Sequence, residues 1–386
     1  MTTKHHRVHL SRGILDLTYQ SDSFALDELL DFAERINPKR AFLFVSKVLG
    51  RHIPVAPSSM RAAFETLAHQ IPDHLPEPIL VVGMAETAVG LSAGVHQTLQ
   101  KRYPNALLLN STRHAQNAPL LTTFSEEHSH ASTHLIYQSD DDVINGQLLA
   151  SKTLIMVDDE ASTGKTCQNL ITALIQAGLS HIQQVHLATL VDWSLAQSTP
   201  SLFDDVAFYR HHLLCGSWQW TTTNDKTVTM PDVATTKAGS QPIYPLPSWG
   251  RTPTLDSTTG IDSLWQALPF SPDKFVSKKV LVLGSNEFVW LAFLVAERLE
   301  QKGVSVKFAS LTRSPIAQGT AIRHRLSFYD NYGLGMTNFV YNVDFDEWDL
   351  VALCIETPPD GVDELWQHPK VAIISPFCSA SPLEKL

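Results

Sequence analysis

Apolar residues along this chain fall into short, nearly unbroken runs rather than a strict alternation with polar ones. "RAFLFVSKVLG" (40–50), "PILVVGM" (78–84), "NALLLNST" (105–112), "KTLIMVDD" (152–159) and "QVHLATLVDW" (184–193) each read as a strand covered on both faces. Between them, "AVGLSAGVHQTLQKRY" and "CQNLITALIQAG" repeat apolar residues at helical spacing, and Gly178 predicts the stop of the second. Strand alternating with helix, from about Thr18 to Leu214, predicts an α/β domain with a doubly wound parallel sheet.

From Gly216 to about Ser277 the texture changes to Thr, Ser, Pro and Trp, as in "SWQWTTTNDKTVTM" and "QPIYPLPSWGRTPTLDSTTG". This stretch reads as a connector that wraps a domain surface. Alternation resumes at "KKVLVLGSNEFVWLAFLVAERLEQKG" and runs to "VAIISPF". The expected division is therefore 1–215, a connector at 216–277, and a second α/β domain at 278–386.

The halves echo one another. Gly83 aligns with Gly284, Glu86 with Glu287, and Thr112-Arg113 with Thr312-Arg313, at Gly-to-Thr separations of 29 and 28 residues. "HLIYQSD" echoes "FVYNVD", and "KTLIMVDDE" echoes "WDLVALCIE". The second domain thus reads as a degenerate repeat that keeps the turns and loses the polar loop after Asp158-Asp159.

Composition narrows the class. A formal charge of -10 over 386 residues leaves no basic surplus for nucleic acid. Four cysteines with no CxxC favour reduced thiols over a disulfide frame or zinc site. No apolar leader or membrane-length run is present, so a cytoplasmic, membrane-free protein is expected.

The chemistry concentrates in "TLIMVDDEASTGKTCQNLI" (153–171). Gly164-Lys165-Thr166 invites a nucleotide P-loop, but that loop needs glycine where Asp159 stands, and an acid there would face a triphosphate. Read from the strand forward, Asp158 and Asp159 emerge at the carboxyl end of a strand, where open α/β sheets bind ligands. The turn Ala161, Ser162, Thr163, Gly164, Lys165, Thr166 opens a helix, so its N–H groups and hydroxyls can gather round one phosphate. A sugar with vicinal hydroxyls and a 5-phosphate meets both needs.

This run resembles the phosphoribosyl-diphosphate (PRPP) signature of type I phosphoribosyltransferases: four apolar residues, two acids and a T-G-x-T loop. The resemblance implies that Asp158 and Asp159 hold the ribose hydroxyls and that 161–166 holds the 5-phosphate. Ser162 occupies a position that is acidic in purine-type members and Ser in orotate-type members, which implies a pyrimidine-like or unusual base. The family's diphosphate loop maps onto Ala85, Glu86 and Thr87. For Glu86 two readings stay open: a partner of Mg²⁺-bound water or of a basic neighbour, or a simple helix cap.

The family's mobile cover maps onto 111–137. Departure of diphosphate from ribose C1 leaves cationic character and needs a cation on the leaving group. Arg113 is the first choice, with Glu126, Glu127, His128 and His130 for closure, leaving-group contact or proton transfer. A metal site at His128, His130 and His134, or a plain solvated loop, are the rival readings. Lys47, Arg51 and His52 are candidates for the acceptor base or a phosphate.

An orotate-like transferase domain with "EEHSHA" followed by "LTRSPIAQG" (311–319) resembles two-domain TRSP proteins of tellurite-resistance-type gene clusters. Within the second domain, Arg313 and Arg323 belong to a local cationic cluster that reads either as an anion site or as part of a degenerate repeat that only buries a face. The resemblance implies a Mg²⁺-dependent phosphoribosyltransferase acting on PRPP and a small nucleobase-like acceptor, as a homodimer. A non-catalytic PRPP sensor is the alternative.

Overall fold

The computed structural model describes residues 2–35, 40–125, 133–194, 206–224 and 248–377. The first half runs β1 (Lys4–Leu10), β2 (Gly13–Ser21), α1 (Leu26–Leu29), β3 (Leu30–Glu34), β4 (Phe42–Ser46), α2 (Pro57–Gln70), β5 (Ile79–Gly83), α3 (Val89–Leu99) and β6 (Leu107–Asn110). It continues with β7 (Leu120–Ser125), β8 (Thr133–Tyr137), α4 (Asp142–Leu149), β9 (Thr153–Ala161), α5 (Lys165–Gln176), β10 (Gln184–Asp192) and β11 (Ala207–Thr222). The second half holds α6 (Ile261–Gln266), β12 (Lys279–Gly284), α7 (Trp290–Gln301), β13 (Ser305–Ser310), β14 (Arg325–Tyr329), β15 (Thr337–Tyr341), β16 (Leu350–Cys354) and β17 (Val371–Ile374).

The main sheet has the order β1-β2-β11-β10-β9-β5-β6, parallel from β11 to β6 and antiparallel at β1 and β2. Its central strands β5 and β9 are buried along their apolar lengths, as unbroken runs require when helices cover both faces. Each fully buried Leu, Ile or Val there contributes roughly 1.5–3 kcal/mol. The second sheet, β13-β12-β16-β17, is all parallel.

Two segments differ from the sequence reading. The run at 40–50 yields β4, which leaves the main sheet and pairs antiparallel with β3, because Phe42 packs on Trp218 and Trp220 and Phe44 on Trp193. Likewise the start of the Thr- and Trp-rich stretch is a strand: β11 continues to Thr222, paired with β2 along its length. Its alternating Trp218 and Trp220 supply the apolar side that a search for continuous runs passes over.

The two sheets repeat one plan. β5-α3-β6, the hairpin β7–β8, then β9 and β10 correspond to β12-α7-β13, the hairpin β14–β15, then β16 and β17. Thr112 bridges Leu135 in one copy, and Thr312 bridges Phe339 in the other. Where the first copy has α5, the second has only short 3-10 turns at Pro359–Gly361 and Glu364–Gln367.

The halves also exchange arms. Val55 pairs with Phe308 on β13, and the Ser310 N–H donates to the Gly50 carbonyl at 2.8 Å. Reciprocally, Thr254 pairs with Leu108 on β6, and the Asn110 N–H donates to the Gly250 carbonyl at 2.7 Å. Each arm thus covers the edge strand of the opposite half and satisfies its backbone groups. Both arms begin with a left-handed glycine followed by arginine: Gly50 (φ 65) then Arg51, Gly250 (φ 84) then Arg251. Glycine is required, since a Cβ at Gly50 would lie 2.9 Å from the Phe308 carbonyl oxygen, and one at Gly250 would lie 2.8 Å from the Asn110 amide.

Candidate active site

In the main sheet the chain leaves β5 toward β6 on one side, and β9 lies on the other. Strand order reverses at that point, and the crevice outside the carboxyl ends of β5 and β9 is the natural ligand site. The β9 side supplies Asp158 and Asp159, both half-buried, with the Asp159 N–H donating to Asp158 Oδ1 at 2.9 Å. Three residues, Ala161, Ser162 and Thr163, carry the chain into Gly164, which caps α5 at φ 73. The left-handed turn aims the first amides of α5 at the crevice, and Lys165 N–H also reaches Thr163 Oγ1 at 3.3 Å. Thr163 and Lys165 are exposed, while Ser162, Gly164 and Thr166 are half-buried.

Opposite lies the turn after β5. Met84 N–H donates to the Val157 carbonyl, which ties this turn to β9, and Ala85 N–H donates to Ser111 Oγ at 3.0 Å. The Glu86 and Thr87 N–H groups have no hydrogen-bond acceptor among the described residues. Glu86 itself is buried between two guanidiniums: Oε2 pairs with Arg51 Nη2 and Oε1 with Arg313 Nη2. Of its two sequence readings, a carboxylate with basic neighbours describes this geometry, and one of those neighbours comes from the second half.

Arg51 lies across the junction. Its Nη1 donates to the Asn286 carbonyl at 3.2 Å and to Ser310 Oγ at 3.4 Å. Burial pushes its guanidinium down to about 10, against the opposing fields of Asp159 and Glu287. Arg313 is likewise pushed down to about 10, by burial first and by Arg51 next. His52 follows its neighbour into the second half, packed on Tyr341, with burial lowering its pKa to about 3. Lys47 turns the other way, its Nζ on the Asp27 carbonyl. The three candidates for base contact therefore do not form one cluster.

Arg113 is buried, and its N–H donates to Glu287 Oε1 at 2.9 Å, while Thr112 Oγ1 donates to Glu287 Oε2 at 2.6 Å. Glu127, His128 and His130, with Glu126, lie outside the described residues. His134 stacks on Phe124 at 4.7 Å and shares a hydrogen bond with Ser111 Oγ at 2.9 Å. Arg313 and Arg323 part company: Arg313 turns inward to Glu86, whereas Arg323 is exposed, its N–H on Asn342 Oδ1.

Sequence comparison decides the family. The family described as phosphoribosyl transferase matches residues 29–206, and the TRSP domain found C-terminal to that transferase matches 261–367. Residues 29–206 therefore belong to the phosphoribosyl transferase family, and residues 261–367 to the TRSP domain that follows it. No curated protein matches it in sequence. Among solved structures it is similar to adenine phosphoribosyl transferase from Trypanosoma brucei in complex with AMP, pyrophosphate and ribose-5-phosphate. That match has 11% identity and a TM-score of 0.35, covering 50% of this chain and 82% of that one. A hypoxanthine phosphoribosyltransferase from Staphylococcus aureus matches at 14% identity and a TM-score of 0.25, covering 42% of this chain and 78% of that one.

The transferase holds further charged groups that the sequence reading did not single out. Arg251, in the connector, bonds Glu287 through Nε at 2.9 Å and Glu356 through both Nη atoms at 2.7 Å. All three side chains are almost wholly buried, and Tyr332 donates its hydroxyl to Glu356. Burial works against the Arg251 charge, but Glu356 and Glu287 outweigh it and raise its pKa. Glu287 is held down to about 2: burial opposes the charge, and His114, Arg251 and the Thr112 hydroxyl overcome it. Burial also lowers the pKa of His114, so Arg251 is the lasting cation there near neutral pH. A second unforeseen residue is Arg210 on β11, bonded to Asp192 Oδ2 at 3.0 Å, with Nη2 3.8 Å from where a Cβ on Gly164 would stand. It puts a cation behind the turn that opens α5. The repeated Gly-Arg pair would have pointed to Arg251; Arg210, a lone cation in a strand, carries no comparable signal.

Proposed function

We propose that this transferase binds PRPP with Mg²⁺ and forms, or reverses, an N-glycosidic bond between ribose C1 and a pyrimidine-like or unusual base. The observation that carries this reading is the meeting of the Asp158–Asp159 pair with the Gly164-capped start of α5 at the strand-order switch. The carboxylates accept from the ribose hydroxyls, and the 161–166 turn gathers the 5-phosphate. The amides of Glu86 and Thr87 face the diphosphate side. Catalysis then consists of positioning, and of stabilising a cationic ribose while diphosphate departs.

The donor set suits Mg²⁺ carried mainly by ligand oxygens. Among the described residues no group of three or more His, Cys, Asp or Glu side chains forms a cage, so Asp158 and Asp159 would meet the ion through the bound ligand. When bound, the ion would neutralise charge on the diphosphate. Ser162, where purine-type relatives carry an acid, supports a pyrimidine-like acceptor in a small-molecule reaction. Among the described residues no helix is long and apolar enough to cross a membrane.

Two measurements test the proposal. PRPP with Mg²⁺ should raise the melting temperature, and the double variant D158N/D159N should lose that shift. Release of diphosphate with a panel of pyrimidines, purines and analogues then identifies the acceptor. Binding without release on any base would make the protein a PRPP sensor, and no PRPP binding would overturn the reading altogether.

A further inference from the structure

The two halves pass one carboxylate each to the other. Glu287 of the second half reaches the Thr112–Arg113 turn of the first, and Glu86 of the first reaches Arg313 of the Thr312–Arg313 turn in the second. The exchange is the same in plan and unequal in chemistry. Glu287 is fully engaged, by a hydroxyl, a backbone N–H and Arg251. Arg251 in turn holds Glu356 by a two-pronged pair. On the other side, two guanidiniums converge on the single carboxylate of Glu86, beside two amides with no acceptor among the described residues.

The geometry points to a shared diphosphate clamp: Arg313, supplied by the TRSP domain, and Arg51 of the transferase domain grip the leaving diphosphate, with Glu86 as the internal anion they hold meanwhile. This rests on the reading of the first half as a PRPP site and deepens it, because the second domain then contributes a binding residue. Three observations support it. Glu86 stands on the same turn as the two amides, so an anion bound there lies within reach of both guanidiniums. Arg313 is the more accessible of the two, its side chain 16% exposed against 6% for Arg51. Both arginines carry lowered pKa values, the mark of buried cations with too little counter-charge, whereas Arg251 is raised. A diphosphate offers several oxygens to two planar forks, a better match than one carboxylate shared between them.

The competing carboxylate makes the clamp testable with a sign that a structural role would not produce. Titration calorimetry on the full chain with Mg²⁺ would use inorganic diphosphate as probe and ribose 5-phosphate as reference. Arg313→Gln should weaken diphosphate binding at least about tenfold, the loss of one charged two-pronged contact, while ribose 5-phosphate binds as before. Arg313→Lys should recover part of the loss. Glu86→Gln should tighten diphosphate binding, since it removes the anion that competes for both forks. Because Arg313→Gln leaves Glu86 short of a partner and risks misfolding, the double variant E86Q/R313Q, with no surplus buried carboxylate, should bind diphosphate more weakly than Glu86→Gln alone. Equal diphosphate affinity across these proteins, or weakening by Glu86→Gln, would overturn the clamp. Failure of the wild-type chain to bind ribose 5-phosphate would instead overturn the PRPP site on which it stands.

Discussion

Arg51 and Arg251 occupy equivalent places in the two halves, each following a left-handed glycine at the head of an exchanged arm. Each lies against the glutamate of its own half's turn, Glu86 or Glu287. Beyond that they diverge. Arg251 meets a second carboxylate, Glu356, and the group is closed: every oxygen of both glutamates has a donor. Arg51 instead shares its one glutamate with Arg313, and the acids at the end of β9 belong to the half-exposed crevice. The same scaffold thus joins one arginine to two glutamates in one copy and two arginines to one glutamate in the other. In the second copy the strand-end acid Glu356 completes the joint, whereas in the first Asp158 and Asp159 are proposed to meet a ligand.

The comparison breaks most severely at Arg251. Arg251→Gln strands Glu287 and Glu356 without their cation, and chemical denaturation should show a loss of roughly 3–5 kcal/mol. Arg51→Gln should cost less, because Glu86 keeps Arg313; equal losses would mean that the two joints are not different in kind. Next come the arm glycines. Gly50→Ala and Gly250→Ala meet both a left-handed backbone and contacts under 3 Å, so each should destabilise by roughly 1–3 kcal/mol. A near-neutral result at both positions would argue that the arms are not fixed to the opposite edges.

Acid should act more gradually. His52 and His96 are held neutral by burial, with pKa values of about 3 and about 4 against 6.5 for the free side chain. The folded state therefore binds fewer protons than the unfolded one below 6.5, and stability must fall as pH drops from about 6.5 toward 4. Glu287, held at about 2, adds a contribution present above the ordinary carboxylate range and lost as pH falls below about 4.5. Melting curves between pH 8 and 3.5 should show this decline, and a flat profile would contradict it. Smallest of all, Arg323→Ala removes an exposed side chain and should change stability by no more than about 0.5 kcal/mol. It should also leave diphosphate binding unaltered, which sharpens the assignment of the second domain's anion contact to Arg313.

How much of this was legible follows from the range of each signal. Strand runs and the acid-to-Gly164 turn are contiguous, so the sheet core and the turn that opens α5 could be read directly from residues 78–178. The internal repeat was legible too, because Gly, Glu and Thr-Arg recur at matched spacing. The partners of those residues were not. Glu86 was left with two open readings because the cations around it arrive from residue 51 and residue 313. Arg251 sat in a stretch whose Thr, Ser and Pro content suggested a passive connector, although its Gly-Arg pair repeats that at 50–51. Similarly, Arg313 and Arg323 read together as one anion site, yet Arg313 lies against Glu86 while Arg323 is exposed. Patterns within one element survive as local geometry; charge pairing across the joint depends on how two sheets are set against each other.

The exchanged arms carry a consequence for how the halves are owned by the chain. Since each edge strand is completed by the opposite half, the peptide link between them is not what joins them. Residues 1–224 and 248–386 expressed as two separate polypeptides should assemble into one particle, whereas either piece alone would expose a bare strand edge and precipitate. In architectural terms the protein is a couple rather than a pair of neighbours. The second partner has only short 3-10 turns where the first has α5, but it cannot be dismissed without taking the cover of the first one's edge, and its own Arg313, with it.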